Sequence, residues 1–259
     1  MNRLQASTLS AWPGFESTAE FCSAGTYRAA SEDHPYAFFA PLHYEQNYAY
    51  PLLVWLHGGG DSERQLRRIM PLVSMRNYVA VAPRGTVGGL GRTGRQHGYH
   101  WQQTPHHTSL AEQSVRAAIA EAETRFHIRR DRIFLAGYES GGTMAFRIAT
   151  AQAERFAAVL SLCGPFPTEG APLAKLNTVR QLPFYVAACR NGSYYPTSQV
   201  CDNLRLFHAA GMSITLREYP GDGSLSEHML ADVDRWMMEQ IVGQTAVPNA
   251  VPPRQTGVG

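Results

Sequence analysis

Cysteine is scarce in this chain, and Cys22, Cys163, Cys189 and Cys201 stand too far apart to form a CxxC pair. That spacing signals neither a zinc site nor a disulfide framework, so buried free thiols are expected. No apolar run reaches the length that spans a bilayer, and Met1 to Phe15 lacks the apolar core of a secretory leader. A cytoplasmic protein without a membrane span is the expectation. A bulk excess of one charge is also missing: the formal net charge is +2, and the basic residues are scattered apart from short pairs such as Arg67-Arg68 and Arg129-Arg130. Such pairs read as solvated helix faces, and the pattern argues against a nucleic-acid partner. Internal repeats are absent as well.

What remains is the composition of an ordinary globular protein. Hydrophobic residues make up 44% of the 259 residues and charged ones 17%, enough apolar surface for one large α/β domain. Short apolar runs at Leu52 to Leu56, Tyr78 to Ala82, Ile133 to Ala136, Ala157 to Leu162, Phe184 to Ala188 and Ile214 to Tyr219 alternate with helical stretches. The runs are apolar on both faces, as in parallel strands covered by helices above and below. Tyr36 to Pro41 adds a candidate antiparallel strand. Val115, Ile119, Ala122 and Phe126 recur at helical spacing, as do Leu230, Val233, Met237 and Ile241. Six glycines between Gly85 and Gly98 predict a loop. The domain is expected over 21–242, with an N-terminal extension at 1–20 and a disordered tail at 243–259.

The most informative segment is Ile133-Phe134-Leu135-Ala136-Gly137-Tyr138-Glu139-Ser140-Gly141-Gly142, a strand running through a sharp turn into a helix. A nucleophile elbow has this form, with small residues two before and two after the nucleophile because the helix packs tightly back on the strand. Gly137 and Gly141 meet that need, which centres the turn on Glu139; centring Ser140 would put bulky Tyr138 at a small-residue position. Ser140 is then a first-turn helix residue whose backbone N–H would supply half of an oxyanion hole. The other half falls on Gly58 and Gly59 in His57-Gly58-Gly59-Gly60, directly after a predicted strand. A Gly-rich strand-to-helix turn without function is the plainer alternative. His57 is expected to orient this loop through a ring hydrogen bond.

With Val54 to Gly60, Tyr78 to Gly85, Ile133 to Gly142 and Met229 to Trp236 in hand, the chain resembles the phospholipase/carboxylesterase and polyhydroxybutyrate depolymerase-like branch of the α/β-hydrolase superfamily over roughly Tyr36 to Ile241. The resemblance implies an α/β-hydrolase fold, a mostly parallel central sheet with helices on both faces, and a Ser, Asp, His triad in chain order. The acid's expected place falls on Gly192, in Cys189 to Pro196, and the base's on Gly223, in Pro220 to His228. Neither position carries the required side chain. Asp202, ten residues downstream of Gly192, reads as a surface helix residue. His228 is the histidine nearest the base's place, and Ser224 with Glu227 has capping-box spacing that would set His228 in the first helical turn. His97, His100, His106 and His107 are spaced too irregularly to specify a metal site, and no metal or cofactor is expected.

Three readings of Glu139 follow. The chain is a non-catalytic relative acting as a binding or interaction module for a small ester-like or acyl ligand, with no particular protein partner indicated, and the carboxylate occupies its own oxyanion hole. Alternatively, Ser140 and His228 form rearranged ester-hydrolysing machinery. In the third, Glu139 is itself a carboxylate nucleophile toward alkyl halides or epoxides, a chemistry that needs a histidine-activated water.

Overall fold

The computed structural model describes residues 21–22, 26–29, 35–90 and 96–245. The strands are β1 (Phe21–Cys22), β2 (Thr26–Ala29), β3 (Tyr36–Phe39), β4 (Tyr50–Leu56), β5 (Val79–Pro83), β6 (Val87–Leu90), β7 (Gln96–His100), β8 (Ile128–Tyr138), β9 (Ala158–Leu162), β10 (Phe184–Cys189) and β11 (Ile214–Tyr219). The helices are α1 (Gln65–Val73), α2 (Pro105–Arg125), α3 (Ser140–Ala151), α4 (Leu176–Val179), α5 (Thr197–Ala210) and α6 (Glu227–Thr245).

Nine of these strands form one sheet in the order β1-β2-β3-β5-β4-β8-β9-β10-β11. From β5 to β11 every pairing is parallel, while β1, β2 and β3 extend the edge in antiparallel fashion. β4 and β5 are buried along their whole length because both faces are covered, while β8 exposes Arg129 to Asp131 before its buried run from Arg132 to Gly137. Residues of α2, α3 and α5 pack on one face, with Val115, Met144 and Phe207 in a single cluster. Those of α1 and α6, including Ile69, Met229 and Met237, pack on the other. The α2 face is the stripe its periodicity predicts, with Val115, Ile119 and Ala122 buried. Thr104 caps this helix by accepting from the His107 amide.

Three expectations need correction. The stretch from Gly85 to Gly98 is not simply a loop, since β6 and β7 pair as a two-stranded antiparallel ribbon. Glycine carries no side-chain pattern, so backbone pairing in such a segment leaves no periodic trace. Buried free thiols hold for Cys163 and Cys189, whereas Cys201 is exposed on α5; the Cys22 side chain is outside the described residues. The closing helix continues to Thr245, into the segment read as a tail; the remainder, 246–259, and the extension at 1–20 also lie outside the described residues. Among the described residues no helix is long and apolar enough to cross a membrane.

Candidate functional site

The C-terminal ends of β4, β8, β9 and β10 bring the site together. At the end of β8 the chain turns through Glu139, whose φ of 48° and ψ of −115° lie in a region that non-glycine residues seldom occupy. The Glu139 amide donates to the Leu162 carbonyl at 2.9 Å, and its own carbonyl accepts from Thr143 at 3.0 Å. A Cβ on Gly137 would strike the Gly141 carbonyl, and one on Gly141 would strike the carbonyls of Leu56 and His57. Close packing of α3 onto β4 and β8 therefore forces the corner, and Glu139 is the residue that stands on it.

The loop after β4 is held by His57, which is fully buried. The Gly85 amide donates to its Nε2 at 2.9 Å, so Nδ1 carries the proton and donates to the Gly58 carbonyl at 2.8 Å. Burial lowers the His57 pKa, which keeps this neutral form in place. The ring hydrogen bond expected from the sequence is present. Gly58 directs its amide away from the elbow, to Gln65 Oε1 at 3.3 Å, and the same oxygen accepts from Trp55 Nε1 at 2.7 Å. The amides of Gly59 and Ser140 have no hydrogen-bond acceptor among the described residues. Of the three amides proposed for an oxyanion hole, two are free and that of Gly58 is committed.

Glu139 Oε2 reaches back over this loop and lies 3.3 Å from where a Cβ on Gly58 would sit. The Tyr138 ring crowds the same spot, at 2.5 Å, and its hydroxyl donates to the Gly223 carbonyl at 2.8 Å. Burial raises the Tyr138 pKa, and the Glu139 charge raises it further, so the phenol remains a donor. The expected acid and base positions are brought face to face: a Cβ on Gly223 would lie 3.8 Å from the Gly192 Cα, and Asn191 donates to the Gly221 carbonyl at 3.0 Å. Asp222, beside them, is turned into its own loop, accepting from the Ser224 amide at 3.1 Å and the Ser224 hydroxyl at 2.8 Å. These bonds lower its pKa.

His228 is placed elsewhere. It is 76% exposed on α6, with Nε2 3.7 Å from Asp232 Oδ2 and its ring edge-on to Tyr219. The cap of α6 is Ser226, whose Oγ accepts from the Met229 amide at 3.2 Å, rather than Ser224, which is spent on Asp222. Ser140 is 9% exposed, and its Oγ has no hydrogen-bond partner. His100 borders the same glycine loop without bonding to it: measured from a Cβ built on Gly59, His100 Nδ1 is at 3.4 Å and Ser140 Oγ at 3.8 Å. Sequence reasoning set His100 aside with the Gly-rich loop. The β7 pairing that carries it, tied to the glycine loop by the Tyr99 bonds to Gly60 and Asp61, has no sequence signature. Asp202 is exposed on α5 and paired with Arg205. The described residues contain no group of three His, Cys, Asp or Glu arranged to hold a metal ion.

The arrangement of sheet, elbow and glycine loop is that of the α/β-hydrolase fold. Solved structures of that kind superpose on the chain: a carboxylesterase from Mesorhizobium loti (TM-score 0.67, 17% identity, covering 83% of this chain and 99% of that one), SOBER1 of Arabidopsis thaliana (0.60, 17%, 74% and 100%), and a carboxylesterase from Bacillus cereus (0.60, 16%, 79% and 93%). Among curated sequences, the Nocardia uniformis subsp. tsuyamanensis protein named "Putative esterase NocK" is 26% identical over 144 residues, 52% of this chain. The aligned part spans 39% of the length of that relative. No protein-family model matches the sequence.

Proposed function

We propose that this protein is a carboxylesterase-like α/β-hydrolase homologue that has lost, or retains only a trace of, serine-hydrolase chemistry, and that it serves as a small-molecule binding module. The observation that carries this reading is the corner itself: a carboxylate stands at φ 48° where the fold would present a nucleophilic hydroxyl. A carboxylate offers no serine to acylate, and loss of triad members leaves only the weak catalysis of binding and oxyanion stabilisation. The glycines at 192 and 223 support it, since neither an acid nor an imidazole reaches the corner from those loops. The test is incubation with a fluorophosphonate probe together with turnover of a short p-nitrophenyl ester against a heat-denatured control. No labelling and no excess turnover are expected; a labelled serine overturns the reading.

A second reading has one specific observation in its favour. Ser140 Oγ is buried without a partner, and both it and His100 Nδ1 lie within 4 Å of the position a Gly59 Cβ would take, so ester hydrolysis with relocated machinery would draw on Ser140 with His100 as the neighbouring imidazole. His228, engaged with Asp232, is not the base in this version. Abolition of a measurable esterase rate by both Ser140→Ala and His100→Ala would establish it. Attack by Glu139 on an alkyl halide or epoxide lacks a histidine at 223 to activate the second-step water.

A further inference from the structure

Away from the corner at Glu139, a cleft of about 470 Å³ lies between the N-terminal half of α2, the later turns of α3 and the segment 169–175. Its charged lining is balanced, with Arg147 and Lys175 of one sign and Glu112 and Glu169 of the other. None of the four forms an ion pair among the described residues. Three of them are held by neutral groups instead. The Lys175 ammonium donates to the Ala151 carbonyl at 2.7 Å, and Glu112 Oε2 accepts from Gln152 Nε2 at 3.0 Å. Arg147 donates from Nε to Gln103 Oε1 at 2.9 Å and from Nη1 to the Glu169 carbonyl at 2.7 Å. The cleft thus orients charges of both signs without letting them cancel.

Arg147 is the most firmly set of the four. Gln103 Nε2 donates to the carbonyls of Trp101 at 2.9 Å and Ser140 at 3.1 Å, which turns the oxygen of the same amide toward the guanidinium. Nη2 of Arg147 has no acceptor among the described residues. The side chain is half-buried, and burial lowers its pKa against the opposing charge of Glu169. A guanidinium drawn partly out of water is stabilised by a carboxylate that takes its remaining donors, and the protein supplies none within ion-pair reach. Glu112 in turn keeps Oε1 open, and the Glu169 carboxylate accepts no hydrogen bond among the described residues. Between the charges the wall is small and apolar, with Pro105, Ala171 and Pro172.

We infer that this cleft binds a zwitterion of dipeptide size, whose carboxylate takes the open edge of Arg147 and whose ammonium is received by Glu112 and Glu169. A ligand of single charge meets two groups of its own sign here, whereas one that carries both is matched at each end. An extended dipeptide spans about 7 Å, enough to join charges that stand too far apart to pair directly. The cleft's volume lies in the range of small-ligand sites.

Three forms of one peptide test this by calorimetric titration at about pH 6.5, where an α-amino group is protonated and a carboxyl ionised: alanylalanine, its N-acetyl derivative and its C-terminal amide. Alanylalanine is expected to bind the intact protein at least about tenfold more tightly than either blocked form, the size of one charge-assisted hydrogen bond. Arg147→Gln should erase its advantage over the amide and leave that over the N-acetyl form. The double variant Glu112→Gln, Glu169→Gln should do the reverse. Thermal melts establish that both variants are folded, and either one alone reads its own end of the ligand. No binding of alanylalanine, equal binding of a blocked form by the unmodified protein, or an unchanged order of the three peptides in a folded variant each overturns the inference. Glu139 is not on the wall of this cleft, so labelling of a serine by fluorophosphonate would strike the non-catalytic reading and leave the peptide site standing.

Discussion

Gly223 faces Gly192 across the mouth of the sheet, with 3.8 Å between the position of a Gly223 Cβ and the Gly192 Cα. Two loops that would bring an acid and a base together still meet, but they meet backbone to backbone. Tyr138 closes the arrangement from below through its bond to the Gly223 carbonyl.

Rebuilding the triad by Glu139→Ser, Gly192→Asp and Gly223→His is therefore expected to fail. Gly223 has a φ of +113°, where a histidine is strained by about 1–3 kcal/mol. Assays of p-nitrophenyl acetate hydrolysis should show the triple variant no faster than the unmodified protein, and urea denaturation should show it less stable. A rate above background would mean that the loop can relax.

Tyr138→Phe removes one hydroxyl and leaves the Gly223 carbonyl without its donor. The expected cost is about 1 kcal/mol, read from the urea midpoint at constant slope. An unchanged midpoint would show that water replaces the phenol at this position.

His57 links stability to pH. Its folded pKa is lowered, chiefly by burial, so below the ordinary histidine value the unfolded chain binds a proton that the folded chain refuses. This contribution is complete above about pH 6.5 and is lost as pH falls from there through the folded pKa. Unfolding free energies measured between about pH 7.5 and 5 should decline on acidification. A His57→Gln variant, less stable throughout, should lose that part of the slope.

Gly141→Ala would drive a methyl into the carbonyls of Leu56 and His57. Backbone offers no rotamer to move aside, so a destabilisation at the upper end of single substitutions, roughly 3 kcal/mol or more, is expected in thermal melts. Wild-type stability for this variant would contradict the tight seating of α3 on β4.

The sheet was legible because parallel strands covered on both faces are continuous apolar runs. The segments at 52–56, 133–136, 184–188 and 214–219 each lie within or coincide with a strand. The elbow was legible for a steric reason, since the spacing of Gly137 and Gly141 around Glu139 reflects a contact that admits no side chain. Less could be read where backbone alone decides. The β6–β7 ribbon is glycine-rich and pairs through main-chain groups, so neither it nor the placement of His100 left a periodic pattern. The cap of α6 turned on a competition between neighbours: Asp222 takes the Ser224 hydroxyl, and Ser226 is left to start the helix. The direction of the Gly58 amide depended on Gln65, a residue whose side chain could have pointed anywhere from sequence alone.

The backbone at residue 139 is dictated by its neighbours, through the Leu162 carbonyl, the Thr143 amide and the close approach of α3, and by nothing in the glutamate side chain. Position 139 is thus an addressable mounting point. A fluorinated or nitrile-bearing side chain installed there would be held at the mouth of the sheet by the same strained corner, and its spectrum would report on whatever enters the cleft without the protein having to be redesigned around it.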